Sequence, residues 1–134
     1  MPRLTKGGKW VFGWTVIGAN GEIPIPPEAF REYGYDFGEI VFFLKGSKTS
    51  GGFSIGRSER LAQSKIELRL RLLGQGVIDP SRQIVQPTDL SLKPGDRLLV
   101  VRGSGLALGF LQHGPIYYEA ILHPEIETFS IDSI

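Results

Sequence analysis

The sequence has no cysteine, which excludes disulfide frameworks, thiolate zinc sites, iron–sulfur clusters and cysteine nucleophiles. It also lacks a strong net charge, because 15 Lys and Arg residues are balanced by 14 Asp and Glu residues. Electrostatic attraction therefore does not draw the chain as a whole onto nucleic acid. The longest uncharged run, Gly103–Tyr118, is too short and too rich in glycine for a membrane helix. The basic N-terminus leads into no signal-type apolar stretch, so we expect a cytoplasmic chain.

The 134 residues, 41% hydrophobic and 22% charged, are typical of one globular domain spanning residues 1–134. The charge is uneven along the chain. Residues 1–76 carry 11 basic and 7 acidic side chains, whereas residues 77–134 carry 4 basic and 7 acidic ones. An asymmetry of this size is common by chance, so it does not by itself indicate a nucleic-acid surface.

The chain contains an internal repeat, which is the most informative feature of the sequence. Residues 38–53 align without a gap with residues 95–110, at an offset of 57. The matched positions are Gly38/Gly95, Glu39/Asp96, Lys45/Arg102, Gly46/Gly103, Ser47/Ser104, Gly52/Gly109 and Phe53/Phe110. Upstream, Ile23 and Pro26 align with Ile84 and Pro87 at an offset of 61. Repeat one therefore covers about residues 8–73 and repeat two about residues 74–134.

The first parts of the two repeats predict the same elements. In repeat one, strand-forming residues fill Trp10–Ile17, and Asn20-Gly21 is a hairpin-turn signal because both residues tolerate positive φ. A short helix is predicted over Pro26–Gly34, with proline in its first turn and glycine past its end. Ile40–Leu44 is a continuous apolar strand. The predicted fold class is mainly β with short helices.

The later parts of the repeats are less uniform. Ser58–Ser64 and Gly114–Leu122 predict short helices, the second ended by Pro124. Lys65–Leu72 alternates apolar with charged residues, which favours a half-exposed strand, although a helix with one apolar side also fits. Ile126–Ile131 predicts a final strand.

The order of strand, turn, strand, short helix, and Gly-Asp or Gly-Glu before an apolar strand resembles the AbrB/SpoVT family. The residues that carry the resemblance are Asn20–Pro26, Glu28, Arg31, Gly34 and Gly38–Phe42 in repeat one, and Ile84–Pro87 and Leu92–Val101 in repeat two. Members of this family are mostly single-copy chains whose dimers form a swapped-hairpin β-barrel. The resemblance implies that two tandem repeats build such a barrel within one chain, as a monomer or as a dimer of complete barrels.

The same resemblance implies DNA binding, by transcriptional regulators and by antitoxins. Basic side chains of the family's first strand, Gly-Arg turn and short helix approach the phosphates. In this chain Glu22 stands at the usual turn arginine, and a carboxylate is repelled by phosphate, so a basic N-terminal arm would have to compensate. The DNA-binding candidates are Arg3, Lys6, Lys9, Arg31 and Arg82.

A second kind of site is suggested by the cation that precedes Gly-Ser in both repeats. Exposed turn amides can hold an anion, so Lys45, Ser47, Arg102 and Ser104 are candidate anion-binding residues. Gly103–Gly109 is superficially similar to a dinucleotide-binding turn. It has an extra residue before its last glycine and no surrounding βαβ unit, so a hairpin turn is favoured.

The remaining polar motifs favour structural roles over catalysis. His113 and His123 are the only histidines, and no third ligand stands at a metal-site spacing from His123 and Glu119. Ser54 matches Gly-X-Ser-X-Gly, but that motif needs a strand-to-helix elbow, which the predicted elements do not provide.

Three aromatic residues, Trp10, Phe12 and Trp14, alternate along the first strand. Strict alternation places them on one face of the sheet. That face could stack nucleic-acid bases, but an aromatic face of a strand is more often core, and we favour the core.

The sequence therefore predicts a non-enzymatic DNA-binding regulator or antitoxin-like protein, with no metal and no cofactor. The alternative is a binding module for a protein partner or a small anionic ligand, without DNA binding. The repeat and the family resemblance favour DNA. The near-neutral net charge and Glu22 favour the alternative.

Overall fold

The computed structural model describes residues 10–46, 49, 51–57, 72–85, 92–103 and 107–131. The strands are β1 (Val11–Val16), β2 (Glu22–Pro24), β3 (Ile40–Lys45), β4 (Phe53–Arg57), β5 (Leu72–Val77), β6 (Gln83–Val85), β7 (Arg97–Arg102), β8 (Ala107–Leu111) and β9 (Thr128–Phe129). The helices are α1 (Pro27–Tyr33) and α2 (Pro115–Ile121). The predicted class, mainly β with short helices, is confirmed. The helix predicted over Ser58–Ser64 lies outside the described residues, as does the segment from Lys65 up to the start of β5.

Seven strands form one sheet in the order β5-β3-β4-β8-β7-β1-β9, and β2 pairs with β6 in a separate two-stranded ribbon. The neighbouring strands are antiparallel, except that β1 and β9 run parallel. Gly46 and Gly52 lie between β3 and β4, and Gly103 follows β7, whereas Gly109 lies within β8. Hairpins thus form where the repeat alignment predicts them.

Strands are exchanged between the two repeats. The first strand of repeat one, β1, pairs with the third strand of repeat two, β7, and β5 of repeat two pairs with β3 of repeat one. The second strands pair with each other around Ile23↔Ile84, and the fourth strands pair from Phe53↔Phe110 onward. Each repeat therefore depends on the other for the backbone partners of its first and second strands.

Equivalent turns precede the third strand of each repeat. Gly38 and Gly95 have φ values of +80° and +89°, in the left-handed region that favours glycine. The Gly38 N–H donates to the carbonyl of Ile78 at 2.7 Å, and the Gly95 N–H donates to the carbonyl of Ile17 at 2.8 Å. Because Ile78 and Ile17 follow the first strand of the opposite repeat, each turn is fastened across the repeat boundary.

The acidic residue after each of these glycines closes the same turn. The Glu39 carboxylate accepts a hydrogen bond from the Asp36 N–H at 2.9 Å, and the Asp96 carboxylate accepts one from the Lys93 N–H at 2.8 Å. The Gly-Asp/Glu match in the sequence is therefore explained by a side-chain to backbone bond that stabilises a turn.

Two apolar cores lie on opposite faces of the large sheet. The larger core combines side chains from both repeats with Ala29 of α1 and the ribbon residues Ile23 and Ile84. The smaller core packs Ala120 of α2, with Ile116 and Tyr117, against strand residues of β1 and β7. Helix α1 ends at Gly34, which adopts a left-handed conformation, as the sequence predicts.

The prediction that Trp10, Phe12 and Trp14 share a face is wrong. Phe12 belongs to the larger core and Trp14 to the smaller one. The register of β1 against β7 shifts between Val11 and Gly13, an irregularity that breaks the two-residue alternation. Phe12 and Trp14 are both buried, so the core interpretation holds for these two rings.

The predicted closure into a barrel is not found among the described strands. The seven-stranded sheet is open, with β5 and β9 at its two ends. The physical reason on one side is β9, which follows α2 and pairs with β1 through Trp14↔Thr128 and Thr15↔Phe129. It occupies the edge of β1 that closure would need.

No helix in the described part of the chain is long and apolar enough to cross a membrane.

Candidate functional site

The resemblance directs attention to the β2–β6 ribbon and the turns that lead into it. In repeat one, the Gly18 N–H donates to the Glu22 carbonyl and the Gly21 N–H donates to the Gly18 carbonyl, at 2.9 and 3.0 Å. The Glu22 carboxylate turns back and accepts a hydrogen bond from the Asn20 N–H at 2.7 Å. Glu22 therefore stabilises its own turn, and it also places a negative charge where the family has an arginine.

The turn of repeat two has the same backbone pattern with different side chains. The Arg82 N–H donates to the Asp79 carbonyl at 3.0 Å, and the Asp79 carboxylate accepts from the N–H groups of Ser81 and Gln83. Arg82 has a φ of +61°, matching Gly21 at +82°. A positive φ is uncommon for arginine, and the Asp79 carboxylate holds the turn in this conformation.

Arg82 is placed beside the start of α1. The Ile25 N–H donates to the Arg82 carbonyl at 3.0 Å, and Ile25 stands two residues before the first residue of α1. The other described candidate, Arg31, lies in the last turn of the same helix. The fold therefore places the two arginines at opposite ends of α1.

The surroundings of Arg31 are acidic. Arg31 lines a cleft of about 230 Å³ together with Glu28 of its own helix and with Glu125 and Glu127 of the segment after α2. These carboxylates compete with phosphate for the guanidinium. Sequence reasoning does not reveal the proximity of Glu125 and Glu127, because they are more than ninety residues away from Arg31.

The cations of the two candidate anion-binding turns differ in their surroundings. The Arg102 guanidinium pairs with the Glu32 carboxylate of α1 through two hydrogen bonds and lies over the Trp10 ring. The bond to Glu32 is the main cause that raises the pKa of Arg102. Lys45 is exposed at the end of β3, opposite Phe53. Ser47 and Ser104 lie outside the described residues, as do Arg3, Lys6 and Lys9.

A second arginine, Arg57 of the first repeat, is also paired with a carboxylate. The Arg57 Nε lies 2.6 Å from the Glu39 carboxylate, and its guanidinium also donates to the Gly34 carbonyl at the end of α1. As the Arg102–Glu32 pair joins α1 to β7, the bond from Arg57 to the Gly34 carbonyl joins the end of α1 to β4. Both arginines are therefore engaged by protein groups.

The histidine His123 bridges two carboxylates. Its Nδ1 lies 2.8 Å from Glu125 and its Nε2 lies 3.3 Å from Glu119. The pKa of His123 is raised above its ordinary value of 6.5. The largest cause is the hydrogen bond to Glu125, and the next is the hydrogen bond to Glu119. The Glu125 pKa is lowered, mainly by its own backbone N–H and then by His123.

This bridge predicts a pH dependence of stability. The folded-state pKa of His123 is raised, so protonated His123 adds to the free energy of unfolding. This stabilisation is fully present below the unfolded-state pKa and is lost as pH rises through the folded-state pKa. We expect the melting temperature of the native chain to fall more than that of His123→Gln between about pH 6 and pH 8. Differential scanning calorimetry checks this, and parallel pH profiles for the two chains would contradict it.

The outward side of α2 was not singled out by the sequence. Pro115, Tyr118, Glu119 and Leu122 line an open groove of about 390 Å³ on the side of the helix away from the sheet. The sequence does contain a pattern that indicates a covered helix, because Pro115–Leu122 has only one charged residue and has apolar residues all round the helix. A helix with this pattern is normally covered on more than one side.

The remaining motifs take structural positions. Ser54 lies within β4, opposite both Leu44 and Gly109, so the strand-to-helix elbow of a nucleophilic serine is not formed there. The His113 ring is hydrogen-bonded to the Thr49 carbonyl at 2.9 Å. Within the described ranges, no group of three or more His, Asp or Glu side chains could hold a metal ion.

Comparison with protein families, with curated proteins and with solved structures finds no significant match to this chain.

Proposed function

We propose that the chain is a DNA-binding regulator or antitoxin-like protein of the AbrB/SpoVT type, with both copies of the swapped-hairpin unit in one polypeptide. The observation that carries the proposal is the exchange of strands between the repeats, in which β1 pairs with β7 and β5 with β3. The family resemblance implies such an exchange between two chains.

The proposed DNA surface is the β2–β6 ribbon with its two turns, together with α1. Arg82 and Arg31 are its described cations, and Arg3, Lys6 and Lys9 precede β1 in the sequence. The whole chain carries 15 Lys and Arg side chains against 14 Asp and Glu side chains. Binding on this surface therefore depends on a few phosphate contacts. If all five candidates contact phosphates, the logarithm of affinity should fall with the logarithm of salt concentration with a slope of about −4.5.

Glu22 provides the test of this surface. If the ribbon faces DNA, Glu22→Arg removes a repulsion and adds an attraction, so binding should tighten and the salt slope should steepen by about one phosphate contact. Glu22→Gln keeps an oxygen for the Asn20 N–H and removes only the charge, so it should give a smaller gain. Fluorescence anisotropy of a labelled duplex at several salt concentrations measures both.

Arg31→Ala should have the opposite effect, a loss of affinity that is similar for different DNA sequences, because phosphate contacts position the protein without reading bases. Lys45→Ala, at the exposed end of β3 and outside the ribbon, its turns and α1, serves as the matched control. Undetectable binding by the native chain at low salt, together with no gain from Glu22→Arg, would overturn the proposal.

A second candidate function, the binding of a protein partner, is favoured by one observation. The outward side of α2 exposes large apolar side chains, among which Leu122 is 74% exposed and Tyr118 is 59% exposed. Contiguous apolar surface of this kind marks interaction sites on soluble proteins. This function is compatible with DNA binding, because α2 packs on the face of the sheet opposite the larger core.

A further inference from the structure

Helix α2 presents two apolar sides. Ile116, Tyr117 and Ala120 face the sheet and belong to the smaller core. Pro115, Tyr118 and Leu122 stand at positions i, i+3 and i+7 on the other side, where they line the open groove. We call these three residues, with Glu119 between them, the α2 outer face. Its spacing suits the side chains of an apposed helix or extended segment.

Among the described residues, the charged side chains at the α2 outer face are the carboxylates Glu119 and Glu125, with His123 between them. The sequence from Gly103 to the last residue contains no Lys or Arg. Glu119 lines the groove itself, and Glu125 lies beside the C-terminal end of α2, joined to it through His123. Arg97, the cation over the Trp14 ring, belongs to the sheet beneath the helix. The described rim of the apolar groove therefore carries two carboxylates and the titratable His123, and Arg31 lines the neighbouring cleft with Glu125.

We propose that the α2 outer face docks a cationic amphipathic segment of another protein, in which apolar residues fill the groove and Lys or Arg residues meet Glu119 and Glu125. This inference rests on the second function proposed above. Charge complementarity selects the partner, because opposite charges around an apolar centre favour association and like charges oppose it. Two copies of this chain that met through α2 would bring two acidic rims together, so a second copy is the less favourable occupant.

The test uses two synthetic peptides of about 18 residues, long enough to form an amphipathic helix. Both carry leucine at i, i+3, i+4 and i+7, and the remaining positions are lysine in one peptide and glutamate in the other. Each peptide is fluorescently labelled and titrated with the full chain, with anisotropy as the signal. The lysine peptide should bind at least about tenfold more tightly, and added salt should weaken its binding.

The binding site is checked with variants of the full chain. Leu122→Ser should weaken binding of the lysine peptide about tenfold, since apolar anchors at the centre of an interface carry most of the affinity. Tyr118→Ala is the second test variant. Val77→Ser, which changes an apolar side chain that is 53% exposed on β5, is the matched control and should leave binding unchanged. Circular dichroism verifies that each variant is folded.

The outcomes separate the inference from the function on which it rests. Equal binding of both peptides, sensitive to Leu122→Ser, would overturn the cationic partner and leave a protein-binding surface. Binding of neither peptide, or binding of the lysine peptide that Leu122→Ser and Tyr118→Ala leave unchanged, would overturn the proposal together with the second function. A dimer in sedimentation that Leu122→Ser dissociates would overturn it in favour of a second copy.

Discussion

Phe110→Ala is expected to lower the free energy of unfolding by about 3–5 kcal/mol, the usual cost of removing a buried phenylalanine ring. Phe110 is fully buried in the larger core. It lies opposite Phe53 across the β4–β8 pair, and the two rings stack with centroids 4.7 Å apart. Phe53 and Phe110 are also equivalent residues of the two repeats. The substitution therefore opens a cavity at the contact between the repeats.

Urea denaturation followed by far-UV circular dichroism measures this loss. Phe37→Ala makes the same substitution at a ring that is 57% exposed, and we expect it to cost less than about 1 kcal/mol. A similar cost for the two substitutions would show that the β4–β8 contact is not part of the stable core.

The sequence alone predicts those parts of the fold that rest on local chemistry and on repetition. The repeat aligns Gly38 with Gly95 before an apolar strand, and both glycines adopt the left-handed conformation there. The helix ended by Gly34 is found with a boundary shift of one residue at each end. These features depend on backbone preferences within a few residues, which one sequence carries in full.

Long-range geometry is less accessible from the sequence. The register shift near Gly13 moves Phe12 and Trp14 into different cores. A glycine inside a strand often marks a bulge, but it does not say which face each neighbouring ring then takes. The parallel pairing of Thr128 with Trp14 keeps the sheet open at that edge. It joins residues more than one hundred positions apart, and alternation patterns contain no information about strand partners.

In the candidate site, too, the local turns could be predicted from the sequence, whereas the long-range contacts could not. The turns at Gly21 and Arg82 are equivalent, as the offset of 61 predicts. The partners of the cations could not be foreseen, because Arg102 meets Glu32 from seventy residues away and Arg31 shares a cleft with Glu125. A charged residue read from the sequence is therefore only a candidate until its neighbours in the fold are known.

Residues 1–71 expressed alone are expected not to form a folded monomer. This fragment keeps β1, β2, β3 and β4, but it loses β7 as the partner of β1, β6 as the partner of β2, and β5 and β8 as further neighbours. Unpaired strand edges and the uncovered apolar side chains of the larger core should cause aggregation or self-association. Mixing it with residues 72–134 should restore β-sheet structure in a one-to-one complex.

Sedimentation equilibrium combined with far-UV circular dichroism of residues 1–71 is the most direct test of strand exchange between the repeats. We expect an unfolded or aggregated fragment, or a dimer in which a second copy supplies β3 in place of β7, as the equivalence of these strands allows. A soluble, monomeric fragment with native-like β-sheet content would contradict the exchange.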